Sequence, residues 1–149
     1  MQLLRKISTF GAPLSDMKHT YIVFIRSLLE QSCVVWHSGL TAEQCADLER
    51  VQKSALRIML QEKYENYQNA LNILQMDTLF QRREFLTLNY AKKCITHPKM
   101  KHLFPPNNRT HPMNVRKYEK FQVTHANTER FKNSPILYMQ KLLNSEYNT

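Results

Sequence analysis

The chain has 149 residues, with 21 Lys and Arg against 12 Asp and Glu for a formal net charge of +9, and only two glycines. That length is the size of one domain with a core of its own, and a composition so poor in glycine and rich in straight side chains disfavours a turn-rich β-sandwich and favours helices. No apolar run approaches the roughly 20 residues that cross a bilayer, which excludes a transmembrane span.

In chain order, residues 1–10 carry charge after their two leucines and lack a long apolar core or a small-residue cleavage site, so an intracellular protein is expected, in nucleus or cytoplasm. Three cysteines, an odd number, at Cys33, Cys45 and Cys94 read as reduced thiols. A first helix is predicted from Ser15 or Asp16, either of which can cap it, to about Cys33 or Val35. Its stripe is Met17, Tyr21, Phe24 with Ile25, Leu28 and Ser32. Gly39 is expected to close that segment in the left-handed conformation.

Thr41 and Gln44 have capping-box spacing and open a second helix over about 42–60. Its stripe is Cys45, Leu48, Val51 with Gln52, Ala55, Ile58 and Met59, while Glu49 with Lys53 and Arg50 with Ser54 face outward. The two helices are expected to form an antiparallel hairpin. Asn66 caps a third helix over 67–75, with Ala70, Leu71 and Leu74 inward. Thr78 and Gln81 open a fourth that stops before His97-Pro98. Its buried stripe is predicted as Leu79, the stem of Arg82 or Arg83, Leu86, Tyr90 and Cys94. The prolines from Pro105 to Pro112 then separate this body from an irregular stretch over 113–133, and Ser134-Pro135 starts a short last helix. The expected fold is thus mostly α: a helical hairpin packed with two further helices over residues 1–104, then a basic Pro-bounded connector with a short terminal helix over 105–149.

Charge is unevenly placed. Residues 1–74 hold 8 Lys and Arg against 7 Asp and Glu, whereas residues 75–149 hold 13 against 5. Such a field draws polyanions, which points to nucleic acid, with a merely solvated basic surface as the alternative. The candidate contacts are Arg82, Arg83, Lys92, Lys93, Arg116, Lys117, Lys120, Arg130 and Lys132, with Arg50, Lys53 and Arg57 on the second helix. Tyr118 and Phe121 are candidates to stack on bases, although a core role for these rings is equally open. Metal is not expected, because Cys33 with His37 and Cys94 with His97 are sparse pairs and the cysteines sit on apolar stripes. No nucleophile elbow, phosphate loop or paired-carboxylate motif surrounds the histidines and serines, and no cofactor is implied. His37 reads as a packing or capping ring at the hairpin turn and Trp36 as a core anchor.

Several of these words occur together elsewhere. Phe24, Arg26, Ser27, Leu29 and Glu30 are followed by Val35 through Thr41 with Glu43 and Gln44, then by Asp47 through Ile58. Leu4-Arg5-Lys6 and Phe10-Gly11 precede them, while Gln81-Arg82-Arg83 and the run from Thr128 to Ser134 follow. The pattern resembles the region just after the polymerase core of non-LTR, LINE-type (jockey-like) retrotransposon reverse transcriptases. The resemblance implies a thumb and connector whose helices touch the backbone and minor groove of a template-primer duplex without reading sequence, and hence RNA, DNA or RNA·DNA hybrid as partner. It also implies a surface that rests on the polymerase palm and, set free, invites self-association. Polymerisation is not expected, because Asp16, Asp47 and Asp77 are the only aspartates, none adjacent to another, and two-metal phosphoryl transfer needs clustered carboxylates.

Overall fold

A computed structural model describes residues 1–107 and 120–147. The fold is mostly α. The helices are α1 (Gln2–Thr9), α2 (Leu14–Thr20), α3 (Ser27–Glu30), α4 (Cys33–Trp36), α5 (Ala42–Leu60), α6 (Tyr67–Leu74), α7 (Leu79–Thr96), α8 (Glu129–Lys132) and α9 (Pro135–Tyr147). A π-helical stretch, Tyr21–Arg26, joins α2 to α3, and short 3-10 turns follow α4, α5 and α7.

The chain divides into two compact units. The first comprises Met1–Cys33 and Leu40–Arg83, the second Val34–Gly39 and Glu84–Thr149. This division does not coincide with the expected boundary at residue 104. Composition changes at the proline-rich stretch, but the boundary falls inside α7, where a continuous helix leaves no sequence punctuation.

In the first unit, α5 is the central element against which α1, α2 and α6 pack. Leu4, Met17, Tyr21, Leu56, Met59, Leu71 and Leu74 make its core. The capping box at α5 is formed, Thr41 N–H donating to Gln44 Oε1 at 3.0 Å and Gln44 N–H to Thr41 Oγ1 at 3.2 Å. Asn66 caps α6 through Asn69 N–H at 2.8 Å, and Thr78 with Gln81 repeats the box at α7. These three starts match the sequence because a cap is a local hydrogen-bond pattern.

The first predicted helix differs. It starts at Leu14 behind Pro13, whose fixed φ suits a helix entry. Its π-helical turn inserts about one residue's worth of rotation, so Phe24 and Leu28, expected inward, are exposed at 60% and 69%. The helix breaks at Ser32, which takes the left-handed conformation (φ 53°), while Gly39 does not. Residues 2–9, with fully buried Leu4, form a helix that no side-chain cap announces in the sequence. On α7 the buried residues are Leu79, Arg83, Thr87, Ala91 and Cys94, and Tyr90 lies exposed.

The second unit buries Ala91, Cys94, Phe104, Phe121, Met139 and Leu143. His37 is buried and meets the Tyr138 ring edge-on at 5.7 Å, the packing role expected of it. Pro106 and Phe121 form an isolated antiparallel bridge, with Asn107 N–H donating to Lys120 C=O at 2.9 Å. Asn144, buried on α9, clamps that bridge. Its Nδ2 donates to Phe121 C=O and its Oδ1 accepts from Phe121 N–H, both at 2.9 Å, so one amide side chain substitutes for a neighbouring strand. Thr128 caps the short α8, inside a stretch expected to be irregular, and α9 begins at Pro135 as predicted but runs on to Tyr147.

Candidate nucleic-acid interface

Arg50, Lys53 and Arg57 recur on α5 at spacings of three and four, which places them on one face over about 10 Å of helix. All three are exposed. Arg50 lies 2.8 Å from exposed Asp47. Lys53 Nζ stands over the Tyr67 ring at 5.0 Å, and the Arg57 guanidinium over the Tyr64 ring at 5.1 Å. A ring under a cation favours extended rotamers of these long side chains without neutralising their charge.

Tyr64 and Tyr67 were not anticipated as part of this surface. Their signal lay in the position of a tyrosine-bearing segment just after a helix whose last two turns are basic. Tyr67 is fixed from below by a polar network that spans the first unit. Tyr21 hydroxyl donates to Gln52 Oε1 at 2.7 Å, and Gln52 Nε2 donates to Tyr67 Oη at 3.0 Å and to Asp77 C=O at 2.9 Å. Tyr67 hydroxyl donates in turn to Glu49 Oε2, and the other Glu49 oxygen accepts from Phe80 N–H at 2.8 Å, at the amino end of α7. Glu49, expected to face outward beside Lys53, is thus half-buried and serves as a helix cap. Burial pushes both the Tyr21 and Tyr67 hydroxyls well above the usual phenol range, and for Tyr67 the bond to Glu49 adds to it.

The other candidate contacts divide by burial. Arg83 is fully buried, so it is no surface contact; its position on α7 faces the same side as Leu79 and Thr87, and helix phase overrides its charge. Arg82 is half-buried, its Nε 3.1 Å from Glu30 Oε1, an oxygen that also lies 3.5 Å from Arg26 Nε. Lys92 and Lys132 are exposed and paired with Glu146 and Glu129, the latter at 3.1 Å. Lys93 and Arg130 are exposed. Lys120 is exposed with its Nζ 3.8 Å from the centre of the Tyr147 ring.

Phe121 is only 6% exposed, which removes it as a stacking candidate. Its ring packs edge-on to Phe104 at 6.4 Å and against Tyr147 at 6.1 Å, so the core role is the one it takes. Arg116, Lys117 and Tyr118 lie outside the described residues.

By unit, the first holds 10 Lys and Arg against 8 Asp and Glu and the second 11 against 4, so the charge excess belongs to the second. Among the described residues no group of three or more His, Cys, Asp or Glu is placed to hold a metal ion, and no helix is long and apolar enough to cross a membrane. Cys33, Cys45 and Cys94 form no disulfide. Comparison of the chain with protein-family models, with curated proteins and with solved structures gives no match.

Proposed function

We propose that the chain is a non-catalytic helical module, descended from the thumb and connector of a LINE-type reverse transcriptase, that binds RNA, DNA or their hybrid through phosphates without reading sequence. The observation that carries this reading is the α5 face, where Lys53 and Arg57 are exposed, held over tyrosine rings, and engaged by no carboxylate among the described residues. Cations spaced along a rigid helix track a backbone by charge and shape. Arg50 joins them at little cost, because an exposed ion pair such as its contact with Asp47 contributes under about 1 kcal/mol and yields to a phosphate. The basic second unit, with Lys93, Lys120, Arg130 and, by sequence, Arg116 and Lys117, adds attraction at longer range.

The test is fluorescence anisotropy with RNA·DNA hybrid, single-stranded RNA and duplex DNA over a salt series. Binding is expected to weaken steeply with salt. On duplex DNA, Lys53→Gln with Arg57→Gln is expected to reduce the salt slope by about 1.8, near 0.9 per phosphate contact. Absence of binding at low salt refutes the reading.

A second reading, a protein-interaction module, is favoured by the exposed Phe24 and Leu28, one helical turn apart. Concentration-dependent self-association removed by Leu28→Lys would support it, and a strictly monomeric chain would count against it.

A further inference from the structure

We propose that the second unit contains a binding site for a small anionic amphiphile, a molecule with a hydrocarbon or aromatic body and one carboxylate-like head group. This inference does not use the α5 face that carries the nucleic-acid reading, although Lys93 and Arg130 figure in both.

The site is a cavity of about 400 Å³ within that unit, inside the size range of small-molecule pockets. Val35 of α4, Tyr90 and Cys94 of α7, Met100 after α7, Phe131 of α8 and Met139 of α9 contribute to its wall. Five separate segments therefore close around it. A bowl of this kind admits a compact ligand, whereas a partner helix, about 10–12 Å across with its side chains, needs an open trough. The wall is almost wholly apolar, so the body of the ligand has to be apolar as well, and two methionine side chains give it an adaptable lining. Val35 (63% exposed) and Phe131 (46%) stand at the mouth.

The charges carried by the same segments decide the head group. Lys93 follows Tyr90 by three residues on α7 and so lies on its side of the helix. Lys99 and Lys101 flank Met100, and Arg130 and Lys132 flank Phe131; all five are exposed. The acidic residues these segments bring are already engaged: Glu84 accepts from the Tyr138 hydroxyl at 3.2 Å, Glu129 meets Lys132 at 3.1 Å, and Glu146 meets Lys92. The segments that line this apolar cavity therefore carry a net positive charge, which favours an anionic head group over a neutral one and disfavours a cationic one.

The experiment uses the full chain carrying 13C-methyl methionine, titrated below micelle formation with dodecanoate, dodecanol and dodecyltrimethylammonium, and followed by NMR and calorimetry. Dodecanoate is expected to bind once per chain, shifting the Met100 and Met139 methyl signals while those of Met17 and Met59 stay in place. It is expected to bind at least about tenfold more tightly than the trimethylammonium analogue. Val35→Glu, a change at an exposed lining position expected to leave folding untouched, should weaken dodecanoate at least about tenfold more than it weakens dodecanol. The proposal is overturned by no saturable binding, by shifts confined to methionines outside the cavity, or by equal affinity for all three head groups.

Discussion

Replacing Gln52 with leucine tests whether the buried polar network holds the first unit together. The side chain is fully buried and its amide joins three elements, accepting from Tyr21 and donating to Tyr67 and to the Asp77 carbonyl. Leucine matches it in size, so the cost is polar rather than steric. Tyr21, itself fully buried, loses its acceptor, at about 1–3 kcal/mol for an unsatisfied buried hydroxyl. Tyr67 keeps its bond to Glu49, and exposed Asp77 can turn its carbonyl to water, so these two add little. Leucine burial offsets roughly 1 kcal/mol. A net loss of about 1–2 kcal/mol is expected from urea unfolding followed by circular dichroism. Tyr21→Phe alone should cost a similar amount, by orphaning Gln52 Oε1. Because the double variant removes both partners, it should be less destabilised than the sum of the two, with a coupling of about 1 kcal/mol. Strictly additive single effects would mean that the Tyr21–Gln52 bond contributes nothing, and the network would then be a consequence of packing.

The same tyrosines set a pH limit. Burial raises the Tyr21 and Tyr67 hydroxyls in the folded state, so their contribution is complete below the unfolded phenol value near 10 and is lost as pH rises above it. The urea midpoint should fall above about pH 10, by up to about 1.4 kcal/mol per pH unit for each group, with tyrosinate absorbance appearing together with unfolding; ionisation of both without unfolding would refute this. Asn144→Ala removes both bonds to the Phe121 backbone and should cost about 2–4 kcal/mol, with hydrogen exchange of the Phe121 amide accelerating more than that of Ala91; equal acceleration would mean that the clamp has no local role.

Local signals were legible in the sequence and phase was not. The caps at Thr41, Asn66 and Thr78 and the helix-opening Pro135 were read correctly because each depends on residues within one turn. On the first helix Met17 and Tyr21 are buried as expected, but Phe24 and Leu28 are not, because a π-helical turn leaves no residue-level mark yet rotates the side chains that follow by about 100°. Of the α7 stripe, Leu79, the Arg83 stem and Cys94 are buried as expected, whereas Leu86 and Tyr90 give way to polar Thr87 and small Ala91, which do not look like core. Neither the Asn144 clamp nor the Glu49 cap was visible, since each joins residues far apart in sequence and uses a polar side chain inside.

The corrected positions also sharpen what the proposed nucleic-acid contact can deliver. Losing Arg83 to the interior removes a cation from the candidate surface, and half-buried Arg82 shares Glu30 with Arg26, so moving it to a phosphate would leave Glu30 with one cationic partner. Arg50, Lys92 and Lys132 hold exposed carboxylates whose hold is weak and salt-sensitive. Each of these three can release a phosphate counterion only after giving up its own partner, so each contributes less to affinity than an unengaged lysine. Lys53, Arg57, Lys93, Lys120 and Arg130 have no carboxylate partner among the described residues. If these five made the contacts, the salt slope on duplex DNA would be about −4.5. A measured slope near −2 would confine binding to the α5 pair, and one well beyond −5 would require the paired cations, or those of residues 108–119, to take part.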